Sequence, residues 1–211
     1  MSFLFVGLFL GILANLNYSI EAKWTDIFTL FVASAGVVLG YITFFRWVGN
    51  KKKDDSYLSA KDYLSALNEI RELIREIDFQ YSHLCPAPGL LVEPLEITNE
   101  RLERLEQLKH QLYEARVNLH HCKDELSFWN VKLSDSFTDK HDQFVKDITN
   151  LNTVMTGFNS QLYHFYNSEE EEGRSQSVQR HKKMFNDYLI PAFDFLDSRI
   201  KMGFENVFIF Q

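Results

Sequence analysis

Charge is missing from the start of this 211-residue chain. No Asp, Glu, Lys, Arg or His occurs in residues 1–20, and none in residues 27–45. A soluble helix of such length normally keeps a polar stripe, so an ordinary core helix is a poor reading of either stretch. Cysteine is scarce as well. Two residues, Cys85 and Cys122, exclude a disulfide-dense scaffold, and no CxxC or paired-ligand spacing exists for zinc. Two reduced thiols in a reducing compartment are expected. Basic residues are the minority, 22 against 29 acidic, and a net charge of -7 argues against charge-driven binding to nucleic acid. The phosphate loop GxxxxGKS/T, the dinucleotide turn GxGxxG, the zinc helix HExxH and the nucleophile elbow GxSxG are all absent. No repeat at a solenoid period is evident.

What the chain does have at its start is a bilayer-length apolar run. Residues 27–45 read IFTLFVASAGVVLGYITFF. As a helix rising about 1.5 Å per residue they cover roughly 28 Å, close to the hydrocarbon thickness of a bilayer. Trp24 and Trp47 flank the run where interfacial aromatics belong. The earlier stretch is shorter. A signal peptide would open on Lys or Arg and close on small residues at the cut, but no basic residue precedes it and Ala14-Asn15-Leu16-Asn17 is a poor cleavage site. The expectation is an uncleaved first span. Residues 1–49 then form a membrane anchor, a helical hairpin with spans at about 2–20 and 27–47.

Arg46, Lys51, Lys52 and Lys53 follow the second span, whereas the intervening loop holds only Lys23. The positive-inside rule places that cluster, and everything after it, in the cytosol. Small residues form a stripe on each span: Gly7, Gly11 and Ala14 on the first, Ala33, Gly36 and Gly40 on the second. Such stripes let helix backbones approach closely, either between the two spans or between copies of the chain. No charge lies inside either span, so neither a proton relay nor a selective ion path is indicated.

The rest of the chain reads as all-α. Residues 50–56 are expected to be a hinge and 57–205 a cytosolic antiparallel bundle of long, heptad-patterned helices. The first helix is predicted over 57–84, with Leu64, Leu67, Ile70, Ile74, Ile77, Tyr81 and Leu84 inward. Pro86, Pro88, Gly89 and Pro94 end it in a rigid loop. The second is predicted from an N-cap at Thr98 or Asn99 to Leu133, with a core line from Leu105 through Leu108, Leu112, Ala115, Leu119, Cys122, Leu126 and Trp129 to Leu133 in steps of three and four. The third runs from Ser134-Asp135-Ser136 to Asn167, on a line from Phe137 and His141 to Phe165. The fourth covers 178–204, with Pro191 expected to kink it. Nineteen phenylalanines supply the bulk of a core. Residues 206–211 form an apolar tail, expected to dock on the bundle.

Seven histidines invite a metal site. Glu106/His110, His110/Glu114 and His121/Glu125 are i,i+4 pairs, but a di-iron bundle needs Glu-x-x-His twice, and that spacing is absent. Surface helix pairs are the expected role. Cys122 beside His120 and His121 has the residue types of a nucleophile and base, yet it lies on the apolar line, so packing is expected. Arg174, Arg180, Lys182 and Lys183 make a local basic cluster, expected to be a solvated patch offset by the preceding Glu run and otherwise a candidate patch for phospholipid head groups or a nucleic acid. No constellation demands an enzyme, and no cofactor is expected.

Two N-terminal spans, a Lys51-Lys52-Lys53 stop and a helical cytosolic domain give a layout that resembles the small transmembrane effectors of bacterial antiphage systems, retron transmembrane proteins among them. The resemblance covers the architecture of the whole chain and rests on no diagnostic motif, so it carries over no functional residues. It implies a multi-pass protein of the bacterial inner membrane that is held by a reverse transcriptase and its single-stranded DNA and damages the membrane on infection. The competing expectation is a membrane-tethered scaffold or sensor whose helices bind a cytosolic protein.

Overall fold

A computed structural model describes residues 24–85, 94–167 and 174–210. The first predicted span, with Gly7, Gly11 and Ala14, the loop at 86–93 and the run at 168–173 lie outside them. The described chain is all-α apart from one small ribbon: α1 (Trp24–Leu84), α2 (Leu95–Phe128), β1 (Val131–Leu133), α3 (Asp135–Asn167), α4 (Arg174–Ile200), a single turn α5 (Phe204–Val207) and β2 (Phe208–Phe210). It divides into two compact units, Met1–Lys51 and Lys52–Gln211.

Residues 50–56, expected as a hinge, are helical. The stretch contains no Gly or Pro and sets Lys51 four residues before Asp55, so nothing local stops the helix. Ser56 returns its hydroxyl to the Lys52 carbonyl at 2.8 Å, four residues back.

The second helix starts one turn earlier than the predicted cap. Pro94 holds the N-cap position at φ −54°, ψ 146°, and Thr98 N–H donates to its carbonyl at 3.0 Å. Proline tolerates a helix start because it gives up only a donor that would have no partner there. Thr98 is buried within the first turn. The same helix ends at Phe128, not Leu133. Asn130 adopts a left-handed φ of 57°, a conformation that Asn accepts more readily than most residues, and it turns the chain into β1. Trp129 and Leu133 therefore leave the helix while still packing against the core. The fourth helix is shifted toward the N-terminus, spanning Arg174–Ile200, with Pro191 exposed inside it.

The core of the second unit is the one the heptads describe. Leu67, Ile70, Ile74 and Ile77 of α1, Leu105 to Leu119 of the α2 line, Phe137 to Leu162 of the α3 line, and Phe185, Leu189, Ala192 and Leu196 of α4 are all buried. Burial of this kind contributes about 25 cal/mol per Å² of apolar surface and holds the unit together. Ile200 is exposed where α4 ends, and Phe195 takes an interior place against Phe137 and Phe144.

Partner pairs give the helix directions. From α1 to α2, Arg104 reaches Glu76 and Arg101 reaches Gln80. From α2 to α3, Arg116 reaches Thr149 and Lys123 reaches Asp142. In both cases one number rises as the other falls, so the helices of each pair oppose. Between α1 and α3, Tyr63 meets His141 and Tyr81 meets Asn159, each pair 78 residues apart, so these two run the same way.

The tail docks within the chain. β2 pairs antiparallel with β1 in the register Val131 with Phe210, Lys132 with Ile209 and Leu133 with Phe208. Ser134 adds N–H to the Val207 carbonyl at 2.8 Å and Oγ–H to the Asn206 carbonyl at 2.7 Å. Val207 and Phe208 are buried.

Candidate functional site

The first unit presents an apolar helix that no other described residue covers. α1 contains one stretch long and apolar enough to cross a membrane, and none of that stretch is buried. Phe28 is 69% exposed and Trp47 61%, and Phe31, Val37, Leu39, Tyr41 and Phe45 between them are also exposed. Apolar side chains point outward along the stretch, and its length and composition suit a membrane-crossing helix. Thr29, the polar exception near its start, returns its hydroxyl to the Thr25 carbonyl at 2.7 Å. Intrahelical return of this kind removes the cost of an unpaired hydroxyl in hydrocarbon.

Ala33, Gly36 and Gly40 are exposed on this helix. Among the described residues, nothing lies within 4 Å of a Cβ built on Gly36, Gly40 or Gly49. These glycines therefore serve no contact inside the described fold, and their open surface is available for close backbone approach by another helix. Arg46, Lys51, Lys52 and Lys53 follow as exposed cations.

In the second unit, the remaining candidates take structural places. Cys122 is half-buried in a groove of about 340 Å³ with Asp62, Glu69, His121 and Glu125. Burial and then the Glu125, Asp62 and Glu69 carboxylates push its thiol up. Cys85 is buried, and its thiol is pushed up to about 12 by desolvation. A nucleophilic cysteine needs the opposite environment, one that favours thiolate. Among the described residues, no group of three or more His, Cys, Asp or Glu is placed to hold a metal ion. His110 instead lies 3.7 Å from Glu106 and His120 3.7 Å from Asp124, both as exposed i,i+4 pairs.

The basic cluster is partly consumed by the fold. Lys182 Nζ donates to the Cys85 carbonyl at 2.9 Å and ties α4 to the end of α1. His181 donates Nδ1–H to the Ser177 carbonyl at 2.9 Å and stacks near Phe158. Arg180 and Lys183 are exposed on α4, and the side chain of Arg174 is outside the described set.

The polar centre that periodicity did not reveal is Tyr63 with His141. Both are buried, and the Tyr63 hydroxyl sits 2.7 Å from His141 Nδ1. Burial pushes the phenol far up, and burial aided by nearby Lys123 pushes the imidazole down to about 4, so the pair is neutral at pH 7. His141 lies on the heptad line, but a core position gives no signal of its partner. A second pairing, Arg71 with Asp197 at 2.7 Å beside buried Arg199, links α1 to α4.

No family model matches the chain, and no curated protein or solved structure does.

Proposed function

We propose that this protein is a non-enzymatic effector of the bacterial inner membrane, acting in antiviral defence by perturbing the bilayer when its cytosolic body is released or clustered. The observation that carries this reading is the uncovered apolar stretch of α1, with its exposed Ala33, Gly36 and Gly40 and the lysines that follow. In the proposed assembly, residues 2–20 supply a second span, the hairpin is multi-pass, and Lys51 to Lys53 keep the antiparallel helical bundle in the cytoplasm. The small-residue stripes pack spans against one another or against further copies of the chain. By the architectural resemblance, the cytosolic partner is a reverse transcriptase carrying single-stranded DNA.

The alternative, a tethered scaffold, would use the heptad faces to bind a helical partner. Those faces are occupied in the chain's own core, from Leu105 to Leu126 on α2 and from Phe137 to Leu162 on α3. That favours the effector reading, in which the anchor is the active part. Induced expression in a bacterial host separates the two. An effector collapses membrane potential, read with a potential-sensitive dye, and loses this effect when residues 1–48 are exchanged for an unrelated anchor. Unchanged potential at full expression overturns the proposal.

A further inference from the structure

A groove of about 590 Å³ lies between α2 and α3 in the second unit. Sites for small molecules fall in the range of about 300–1,000 Å³. Val117, Leu119 and Val145 give this groove an apolar wall, and Arg116, Lys123 and Lys146 line it as cations against one carboxylate, Asp142. The local surplus is positive on a chain whose net charge is -7. Lys123 holds Asp142 at 2.9 Å, and His120, also on the groove, lies 3.7 Å from Asp124. Since Lys123 already offsets Asp142, Arg116 and Lys146 carry the net charge. Arg116 donates from Nη1 to the Thr149 hydroxyl at 3.1 Å and lies over the Tyr113 ring, and its buried Nε–H has no acceptor among the described residues. Lys146 is exposed.

His141 also lines the groove, although it is only 2% exposed. The Tyr63 hydroxyl lies 2.7 Å from its Nδ1. A proton on Nδ1 would leave the buried hydroxyl hydrogen without an acceptor among the described residues, so the hydroxyl donates and Nδ1 accepts. The imidazole is neutral at pH 7, and its one ring proton is therefore on Nε2, on the side of the ring away from Tyr63. The groove thus combines a buried, oriented N–H donor with two cations, a set that matches a ligand that only accepts hydrogen bonds.

We propose that this groove binds the phosphate of a small soluble phosphomonoester, with His141 Nε2–H, the Arg116 guanidinium and the Lys146 ammonium as its donors. The phosphate dianion balances the two cations, and its several oxygens take more than one donor at once. The apolar wall covers the organic body, and the groove's volume suits one of mononucleotide size. The site is built within the second unit and is independent of the membrane reading.

The test uses the full chain in mild detergent, labelled with ¹⁵N at histidine and titrated with 5′-AMP, with inorganic phosphate as competitor. Long-range ¹H–¹⁵N spectra read the His141 tautomer and its Nε2 resonance, assigned by its absence from His141→Gln, and calorimetry reads stoichiometry and affinity. The expected result is an Nε2–H tautomer whose resonance shifts saturably with AMP, one site per chain, and competition by phosphate. Lys146→Gln, an exposed change that spares the core, should weaken AMP by about tenfold or more, whereas Lys183→Gln on α4 should leave it unchanged. No shift at His141 with millimolar AMP overturns the site. Equal weakening by the two substitutions overturns it as well, because diffuse charge then accounts for binding. A response to phosphatidylglycerol added to the micelles, with none to AMP or phosphate, overturns the soluble ligand and assigns the groove to a lipid headgroup.

Discussion

The hydroxyl of Tyr63 on α1 and Nδ1 of His141 on α3 lie 2.7 Å apart in the bundle core. The pair joins two buried side chains, and together with Tyr81–Asn159 at the same 78-residue offset it sets the register of these helices. Removing the phenol by Tyr63→Phe leaves Nδ1 buried without a partner and is expected to cost about 1–3 kcal/mol. Tyr63→Phe combined with His141→Leu should cost less than the sum of the single changes. Urea titration in mild detergent, followed by near-ultraviolet circular dichroism, measures all three.

The same histidine predicts a pH dependence. Its folded value is depressed from 6.5 to about 4, so between those values the unfolded chain binds a proton that the native chain refuses. Its contribution is fully present above pH 6.5 and is lost as pH falls toward 4, at up to about 1.4 kcal/mol per pH unit. His141→Leu should flatten this part of the stability profile. A slope unchanged by the substitution counts against a neutral buried imidazole.

The tail separates packing from exposure within two adjacent residues. Phe208 is buried against Tyr63 and Phe204, and Phe208→Ala is expected to cost about 3–5 kcal/mol. Ile209 points away, and Ile209→Ser should change stability by no more than about 0.5 kcal/mol in detergent. Equal losses at the two positions would contradict the strand register.

Cys122 should be a slow thiol. Burial and carboxylates hold it protonated, so alkylation by iodoacetamide at neutral pH is expected to lag behind a free thiol and to accelerate as pH rises. Glu125→Gln removes the largest charge contribution and should raise the rate at fixed pH. Mass spectrometry of timed samples reads the outcome at this residue separately from Cys85.

Gly36→Leu with Gly40→Leu tests the effector directly. A Cβ added at either position has no described atom within 4 Å, so expression and the stability of the bundle should be unchanged. Loss of membrane depolarisation in that double variant is expected if close helix approach in the bilayer drives the effect. Undiminished depolarisation counts against the stripe as the packing surface.

Much of this architecture was legible in the order of residues. The absence of charge over 27–45 is enough to mark a helix long and apolar enough to cross a membrane, because both properties are local to the segment. The three-four spacing of Leu105 to Leu126 and of Phe137 to Leu162 likewise fixes which faces turn inward, since helical geometry places those residues on one side whatever they meet. Element ends were less legible. Pro94 starts α2 before the expected cap, and Asn130 stops it before its apolar line runs out, because backbone conformation there overrides periodicity. The absence of a break at 50–56 is local too, but a charged run reads equally well as hinge or helix.

Sequence alone determined the membrane-compatible start, the all-α class and the inward faces, because each depends on period and polarity within one segment. Only the tertiary structure decided that Tyr63 meets His141, that Lys182 caps the end of α1, and that the last residues complete a ribbon with β1. Those are meetings between groups far apart in the chain. Their partners are chosen by how the helices oppose and align, which no local pattern encodes.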